Sequence, residues 1–327
     1  MFRYTYNELY DLVDNYNKKH KTNIDINELV DPSYKKLAKY GHFDKDLFKK
    51  YDPKVIYEDN DFFGIYKPPH WTVNVGGGPN KDTFDVLKNM DKNLLQVWLY
   101  KNLKYPLRED INKGYGICNR LDNNTSGIVI VAKDAKNYFH LRKEISDHKN
   151  TRKKYFTLVI GKVETEGGYI QSRIDCIRTQ GTNKCFNKPE GMYSKTQYLP
   201  IEYLKDDTGN DYTFMDVKIY TGRTHQIRVH MKMLNTHIVS DNMYSSSREA
   251  FEENIKLVPR LFLHAYYYSF LNLHGKRVEI FCPLADDLYE AFKNNFIFSS
   301  ETKKKKILEF VKDPEEKKKK SDIKRIS

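Results

Sequence analysis

The chain has 327 residues, 39% of them hydrophobic and 14% aromatic, enough to bury a sizeable core in one large domain with extensions or in two domains. Its formal charge of +12, with a pI near 9.2 and a mean hydropathy of -0.75, puts the charged excess at the surface and the ends and favours a polyanionic partner, nucleic acid before anionic membrane. No run approaches the roughly 20 apolar residues of a membrane span, and the opening "MFRYTYNELYDLVDNY" is too acidic and polar for a signal or transit peptide. The four cysteines form no C-x-x-C pair and the ten histidines show no metal-ligand spacing, so no structural metal is expected. Cys118 lacks an oriented base nearby and reads as a small packed apolar residue.

Residues 1–50 repeat Tyr, Leu and Phe at helical spacing between polar breaks and read as a helical extension. Val55, Ile56 and Tyr57, then Phe62, Phe63, Ile65 and Tyr66, flank an acidic turn as two short strands, the second ended by Pro68 and Pro69. The Gly-rich "NVGGGPN" that follows lacks a Lys-Ser/Thr ending and reads as a turn, not a phosphate loop. Next, the polar knot "NRLDNNTSG" opens onto the buried strand Ile128 to Ala132. "DAKNYFHLRKEISDHKN" follows as a helix capped by Asp134, with Tyr138, Leu141 and Ile145 on one face. "KKYFTLVIGKV", "GGYIQSRI" and "YTFMDVKIY" are further strands.

In "TGRTHQIRVHMKML" the period becomes helical: Thr224 is placed to cap, Ile227, Met231 and Leu234 share one face, and Arg228 and Lys232 another. Arg223 and His225 thus stand at a helix N-terminus, where free N–H groups and the helix dipole favour a phosphate or carboxylate. "FLHAYYYSFLNLHGKRVEIFCPL" is a hairpin turning at His274 and Gly275, and "ADDLYEAFKNNF" a closing helix. From 299 onward the runs at Lys303 to Lys306 and Lys317 to Lys320 make a basic tail expected to be disordered.

Within the knot, Asp122 beside Arg120 admits two readings, a structural ion pair or an active-site carboxylate. Three separated segments taken together resemble the RluA-like family of pseudouridine synthases. Arg120, Leu121, Asp122, Thr125, Ser126 and Gly127 match its R-L-D-x-x-T-S-G loop. Lys153, Tyr155 and Gly161 match its Lys-x-Tyr strand, and Thr221 through His230 its T-G-R-x-H-Q-I/L-R-x-H segment. The likeness also takes in Lys67 and Pro68 upstream and "THIVSDNMY" and "LFLHAYYYSF" downstream, in order, between residues 54 and 296.

The resemblance implies an isomerase of RNA uridines: the glycosidic bond to N1 breaks, the base turns in its pocket, and C5 joins C1′. No redox step occurs and no cofactor is expected. Asp122 matches the essential carboxylate, either nucleophile at C1′ or base at the 2′ proton, and both roles stay open. Tyr155 matches the residue that stacks on the base and assists removal of the C5 proton. Arg223 matches the positive partner of Asp122, with Arg228 as the alternative. Arg120, His225, Arg228 and Lys67 are candidates for contact with the RNA, whose target base must leave its stack. His230, His237 and His264 are expected to be structural.

The implied fold is α+β, a mixed and mainly antiparallel central sheet flanked by helices and loops. It divides into a helical N-terminal extension over 1–50, a catalytic domain over 51–298 and the basic tail over 299–327. The implied partner is RNA, ribosomal or transfer first, acted on by a monomer with no membrane contact, in cytoplasm or nucleus with an organelle left open. The competing reading, an RNA-binding protein or RNA chaperone that keeps the fold without turnover, is opposed by the intact Asp, Tyr and Arg. A metal-dependent nuclease would need a carboxylate cluster that is missing. Departures from the family pattern are local: Asn119 where His is frequent, Asn123 and Asn124 where a basic residue or Pro is common, and no glycines around Ile238, which implies an altered turn.

Overall fold

The computed structural model describes residues 52–73, 93–179 and 182–315. The expected N-terminal extension, the Gly-rich loop and the Lys317 to Lys320 run lie outside the described residues. An eleven-stranded sheet dominates. Its strands are β1 (Lys54–Glu58), β2 (Phe62–Lys67), β3 (Ser126–Ala132), β4 (Arg152–Ile160), β5 (Gly168–Thr179), β6 (Thr182–Asn187), β7 (Met192–Lys205), β8 (Asp211–Ile219), β9 (Leu263–Leu271), β10 (Arg277–Phe281) and β11 (Ile297–Phe298). The spatial order is β1-β2-β3-β9-β4-β8-β7-β5-β6, with β10 on β9 and β11 on β7. Among the described strands every pairing is antiparallel except β3 with β9, which is parallel and short. The mixed, mainly antiparallel α+β architecture expected from the sequence is the one observed.

Strand β3 is buried throughout and apolar beyond Ser126 because both of its faces are covered. On one side Val129 and Val131 pack with Phe63 and Ile65 against α1 (Leu95–Asn102). On the other, Ile128 and Ile130 pack with Phe270, Ile280 and Leu141 of α2 (Ala135–Asp147). Asp134 caps α2 as expected, accepting from the Asn137 N–H at 2.9 Å. A larger cluster lies around β4, β8 and β9. There the Phe156 and Tyr266 rings stack 3.8 Å apart, and α5 (Asp286–Asn294) contributes Leu288 and Phe292.

Two helices depart from expectation. In "TGRTHQIRVHMKML" the helix α3 (Gln226–Met233) begins one step later than Thr224 would set it: His225 is the N-cap, in left-handed backbone with φ 56° and no side-chain capping bond. Gln226 turns back instead, its Oε1 accepting from the Arg223 N–H at 3.0 Å and the Thr221 hydroxyl at 2.7 Å. The basic tail, expected to be disordered from 299, forms α6 (Glu301–Lys312) after α4 (Arg248–Leu257) and α5. Ile307, Phe310 and Val311 are buried, Phe310 with its ring 5.2 Å from Phe156. The domain therefore extends to at least Lys312, past the expected boundary at 298. A stripe at i, i+3 and i+4 suffices to dock a helix whose other faces are lysine-rich.

The expected altered turn around Ile238 is accommodated without glycine, since Asn235 and Ser240 adopt φ of 55° and 59°. Cys176 and Cys185 face each other across β5 and β6 and are joined by a disulfide. Cys118 is buried as expected, and burial pushes its thiol up to about 12.

Gly127 is a point of close backbone approach in the sheet. Its φ is +123°, and a Cβ there would lie 2.2 Å from the Ala265 carbonyl oxygen on the parallel neighbour β9. Gly127→Ala is expected to lower stability by about 3 kcal/mol or more, measured by urea unfolding; an unchanged midpoint would show that this approach can relax.

Candidate active site

The loop 119–127 is held from below by three polar anchors. Asn119 bonds to β3 through its amide, accepting from the Ile130 N–H at 2.8 Å and donating to the Ile128 carbonyl at 3.3 Å. Lys67, fully buried, spends its ammonium protons on the carbonyls of Pro68, Trp71 and Asn123 at 2.7, 2.9 and 3.1 Å. Burial and the nearby Arg260 push its pKa well down, against the pull of Asp122. Arg260, bonded bidentately to Asp287, also reaches the Ser126 hydroxyl at 3.1 Å. Behind Ser126, His264 holds that hydroxyl at 2.9 Å, and burial pushes its pKa down to about 3, leaving a neutral ring.

These anchors leave the Asp122 side chain 29% exposed above the loop. Two cationic or titratable groups face its Oδ2 from α3: Arg228 Nη1 and His225 Nε2, each 3.8 Å away. Arg228 is buried and already engaged. Its Nε donates to Asp241 Oδ2 at 2.8 Å and its Nη2 to Asp241 Oδ1 at 2.6 Å, and Asp241 is fully buried. The guanidinium is thus shared between a sequestered carboxylate and an accessible one. His225 Nδ1 meets the Tyr244 hydroxyl at 3.0 Å, which turns Nε2 toward Asp122. Burial pulls the His225 pKa below its ordinary value, with Asp122 opposing. Tyr155, buried on β4, senses the Asp122 charge; burial first and that charge second hold its phenol well above the usual range.

The sequence-predicted residues therefore separate. Asp122, Tyr155, His225 and Arg228 converge. Arg223, the expected partner of Asp122, does not reach it: its Nε donates to the Tyr193 carbonyl at 3.0 Å, at the half-exposed rim. The position beside Asp122 belongs to Arg228, offered as the alternative, because on α3 the residue one turn in from the N-cap points toward the loop. Lys67 is a buried brace and presents no surface for RNA, whereas Arg120 is exposed. Asp241 and Tyr244 lie in the "THIVSDNMY" segment of the family likeness without a role assigned from sequence, and Arg260 lies just outside the quoted segments. Lys153 was read as part of the motif only: it is buried, burial and the neighbouring Arg223 lower its pKa to about 8, and its amine lies 5.8 Å from the Tyr268 ring centre. Among the described residues no group of His, Cys, Asp and Glu could hold a metal ion.

Comparison with known proteins adds independent findings. Residues 61–233 match the RNA pseudouridylate synthase family. An "Uncharacterized RNA pseudouridine synthase" of Helicobacter pylori strain J99 is 30% identical over 264 residues, 77% of this chain and 73% of that protein. "Ribosomal large subunit pseudouridine synthase D" of Vibrio cholerae is 30% identical over 244 residues, 72% of this chain and 68% of that protein. Among solved structures, "Human RNA Pseudouridylate Synthase Domain Containing 1" superposes with a TM-score of 0.54 at 21% identity, covering 79% of this chain and 95% of that one, a likeness of fold.

The two arginines of α3 and its approach should behave differently on truncation. Arg228→Met leaves Asp241 buried without its cation and is expected to lower stability by about 3–5 kcal/mol. Arg223→Ala gives up one rim hydrogen bond and should stay within about 1 kcal/mol of the parent. Urea denaturation of the two variants checks the order; equal losses would contradict it.

Proposed function

We propose, for a chain that belongs to the RluA-like family of RNA pseudouridine synthases, that Asp122 is the carboxylate through which it converts uridine to pseudouridine. The observation that carries this reading is the position of Asp122: on a braced loop, accessible, and 3.8 Å from a buried guanidinium that is itself fixed by Asp241. A carboxylate so placed faces a fixed positive charge and stays open to a sugar brought to the loop. The reaction breaks N1–C1′ and makes C5–C1′; the C5 proton leaves and N1 gains one, so atoms and electrons balance with no net oxidation. Asp122 acts at the sugar, at C1′ or at the 2′ proton.

Tyr155 supplies a ring beneath the extruded base. Its raised pKa keeps it a neutral phenol at physiological pH, which suits stacking and hydrogen bonding better than proton abstraction as a phenolate. Extrusion of the uridine costs a few kcal/mol, offset by backbone contacts with exposed Arg120 and rim Arg223 and by the ring of Tyr155. The relatives named for the large ribosomal subunit make ribosomal RNA the first substrate to test.

Asp122→Asn is expected to fold normally and to release tritium from ribosomal RNA carrying [5-3H]uridine at less than about one thousandth of the parent rate. An Asn variant as fast as the parent sinks the assignment, and a parent that binds this RNA but releases no tritium supports the non-catalytic RNA-binding reading instead.

A pH profile tests His225. With its pKa lowered below 6.5, the ring is neutral at pH 7 and gains its proton only as pH falls below that value. A second cation then pairs with Asp122 and damps its reactivity. The rate is expected to fall on the acid side of pH 6.5, and His225→Gln to remove that limb; an identical limb in the variant would assign it to another group.

A further inference from the structure

The face of β5, β7 and β8 turned away from α3 has a different character from the side that holds Asp122. Alternation along β7 sends Ser194 and Thr196 to α3, where both meet the His230 ring at 3.0 and 2.7 Å. Tyr193 and Lys195 therefore point the other way. On that face Tyr169 of β5 is 56% exposed and Tyr193 45% exposed. The amine of Lys195 lies 4.9 Å from the Tyr169 ring centre and 5.1 Å from that of Tyr220. The Lys218 amine lies 4.5 Å from the Tyr220 ring centre, and the Tyr169 and Tyr220 rings are 6.2 Å apart.

The rings are set by hydrogen bonds: the Tyr193 hydroxyl donates to Gln171 at 2.6 Å and the Tyr220 hydroxyl to Gln197 at 3.0 Å. Burial and the charges of Arg152 and Lys154 lower the Lys218 pKa, marking a local excess of positive charge. The nearest acid on β8, Asp216, is already taken by Lys154 at 2.7 Å and by the Tyr266 hydroxyl at 3.0 Å. Among the described residues, helices α5 and α6 pack on this face around Phe156.

We propose that this Tyr-Lys-Tyr sheet face is a second RNA-contact surface, taking a single-stranded segment of the same RNA whose uridine is presented to Asp122. Rings separated by ammonium groups fit the two parts of a nucleotide strand: bases stack on the tyrosines and phosphates lie against the lysines. A protein partner or a second copy would meet charges with no acids of its own required here, whereas RNA supplies the complementary charge everywhere. The start of β7 lies beside the rim of the site. Arg223, at the rim, donates to the main chain of Tyr193, so a strand leaving Asp122 past Arg223 reaches β7 where its outward side chains begin. The proposal rests on the reading of this chain as an RNA-modifying enzyme, but its test requires no turnover.

The probe is a single-stranded oligoadenylate RNA of about 16 nucleotides, which contains no uridine to occupy the catalytic pocket, titrated against the full chain and against the Tyr169→Ala, Lys195→Glu double variant. Expected is at least a tenfold loss of affinity, with the slope of log affinity against log salt shallower by about 0.7 for the lysine removed. Ultraviolet crosslinking of the parent to the same RNA should mark peptides of β5 and β7. The milder Tyr169→Leu, Lys218→Gln variant, with an unchanged melting temperature, guards against loss of fold and should lose affinity in the same direction. Equal affinity in all three proteins overturns the proposal. So does a change confined to concentration-dependent self-association, which would assign the face to a second copy. A parent that binds the probe here yet releases no tritium from uridine would overturn the isomerase reading and leave this one standing.

Discussion

Arg228 sits between two carboxylates, and the geometry of the site depends on that one guanidinium. Asp241 takes two of its edges at 2.8 and 2.6 Å inside the protein, and a third nitrogen is left facing Asp122 at 3.8 Å. A lone buried cation would be costly, and a cation satisfied by Asp122 alone would occupy the carboxylate proposed for the chemistry. Sharing solves both problems: Asp241 supplies the countercharge that keeps the guanidinium buried, and Asp122 feels a fixed positive field while staying accessible. Asp241 also accepts from the Met243 and Tyr244 N–H groups at 2.9 and 3.1 Å, so it is locked from its own loop.

The other half of the site is a polar loop that cannot be allowed to move. It leads into a fully buried strand, and its carbonyls would be unsatisfied without partners. Lys67 and Arg260 provide them from beneath, and each has its own countercharge or carbonyl cage. The buried histidines work in the same way while uncharged. His264 bridges Ser126 to the Cys282 carbonyl. His230 ties α3 to Ser172, Ser194 and Thr196 across the sheet, with burial pushing its pKa down to about 4. The helix that carries Arg228 is therefore registered on the sheet by hydrogen bonds as well as by Ile227 and Met231.

That polar seam also explains a gap in what sequence patterning reveals. Strand β7 hides because its inward positions include Ser194 and Thr196, small polar residues that read as loop. Helix α6 hides for the opposite reason: Lys303 to Lys306 dominate the count, and the three apolar residues that dock it are outnumbered. Local composition reports how a segment meets water on average, whereas docking is decided by one face.

The amino-acid sequence set out the Asp122 loop, the Tyr155 strand and the Arg223 to His230 segment in chain order, and it was the resemblance of these three segments to the RluA-like family that implied the class of fold and the residues proposed for the chemistry. The sequence by itself determined the cap of α2 and the hairpin at Gly275, which are interactions between near neighbours. Only the tertiary structure decided which arginine serves Asp122. Arg223 and Arg228 are five residues apart in one motif, and the choice follows from His225 taking the left-handed N-cap, which turns Arg228 inward and leaves Arg223 at the rim. The roles of Lys67, Asp241 and Arg260 were decided there as well. A long-range hydrogen bond to a carbonyl leaves no periodic mark on either strand or loop, since its partner is set by packing between distant parts of the chain.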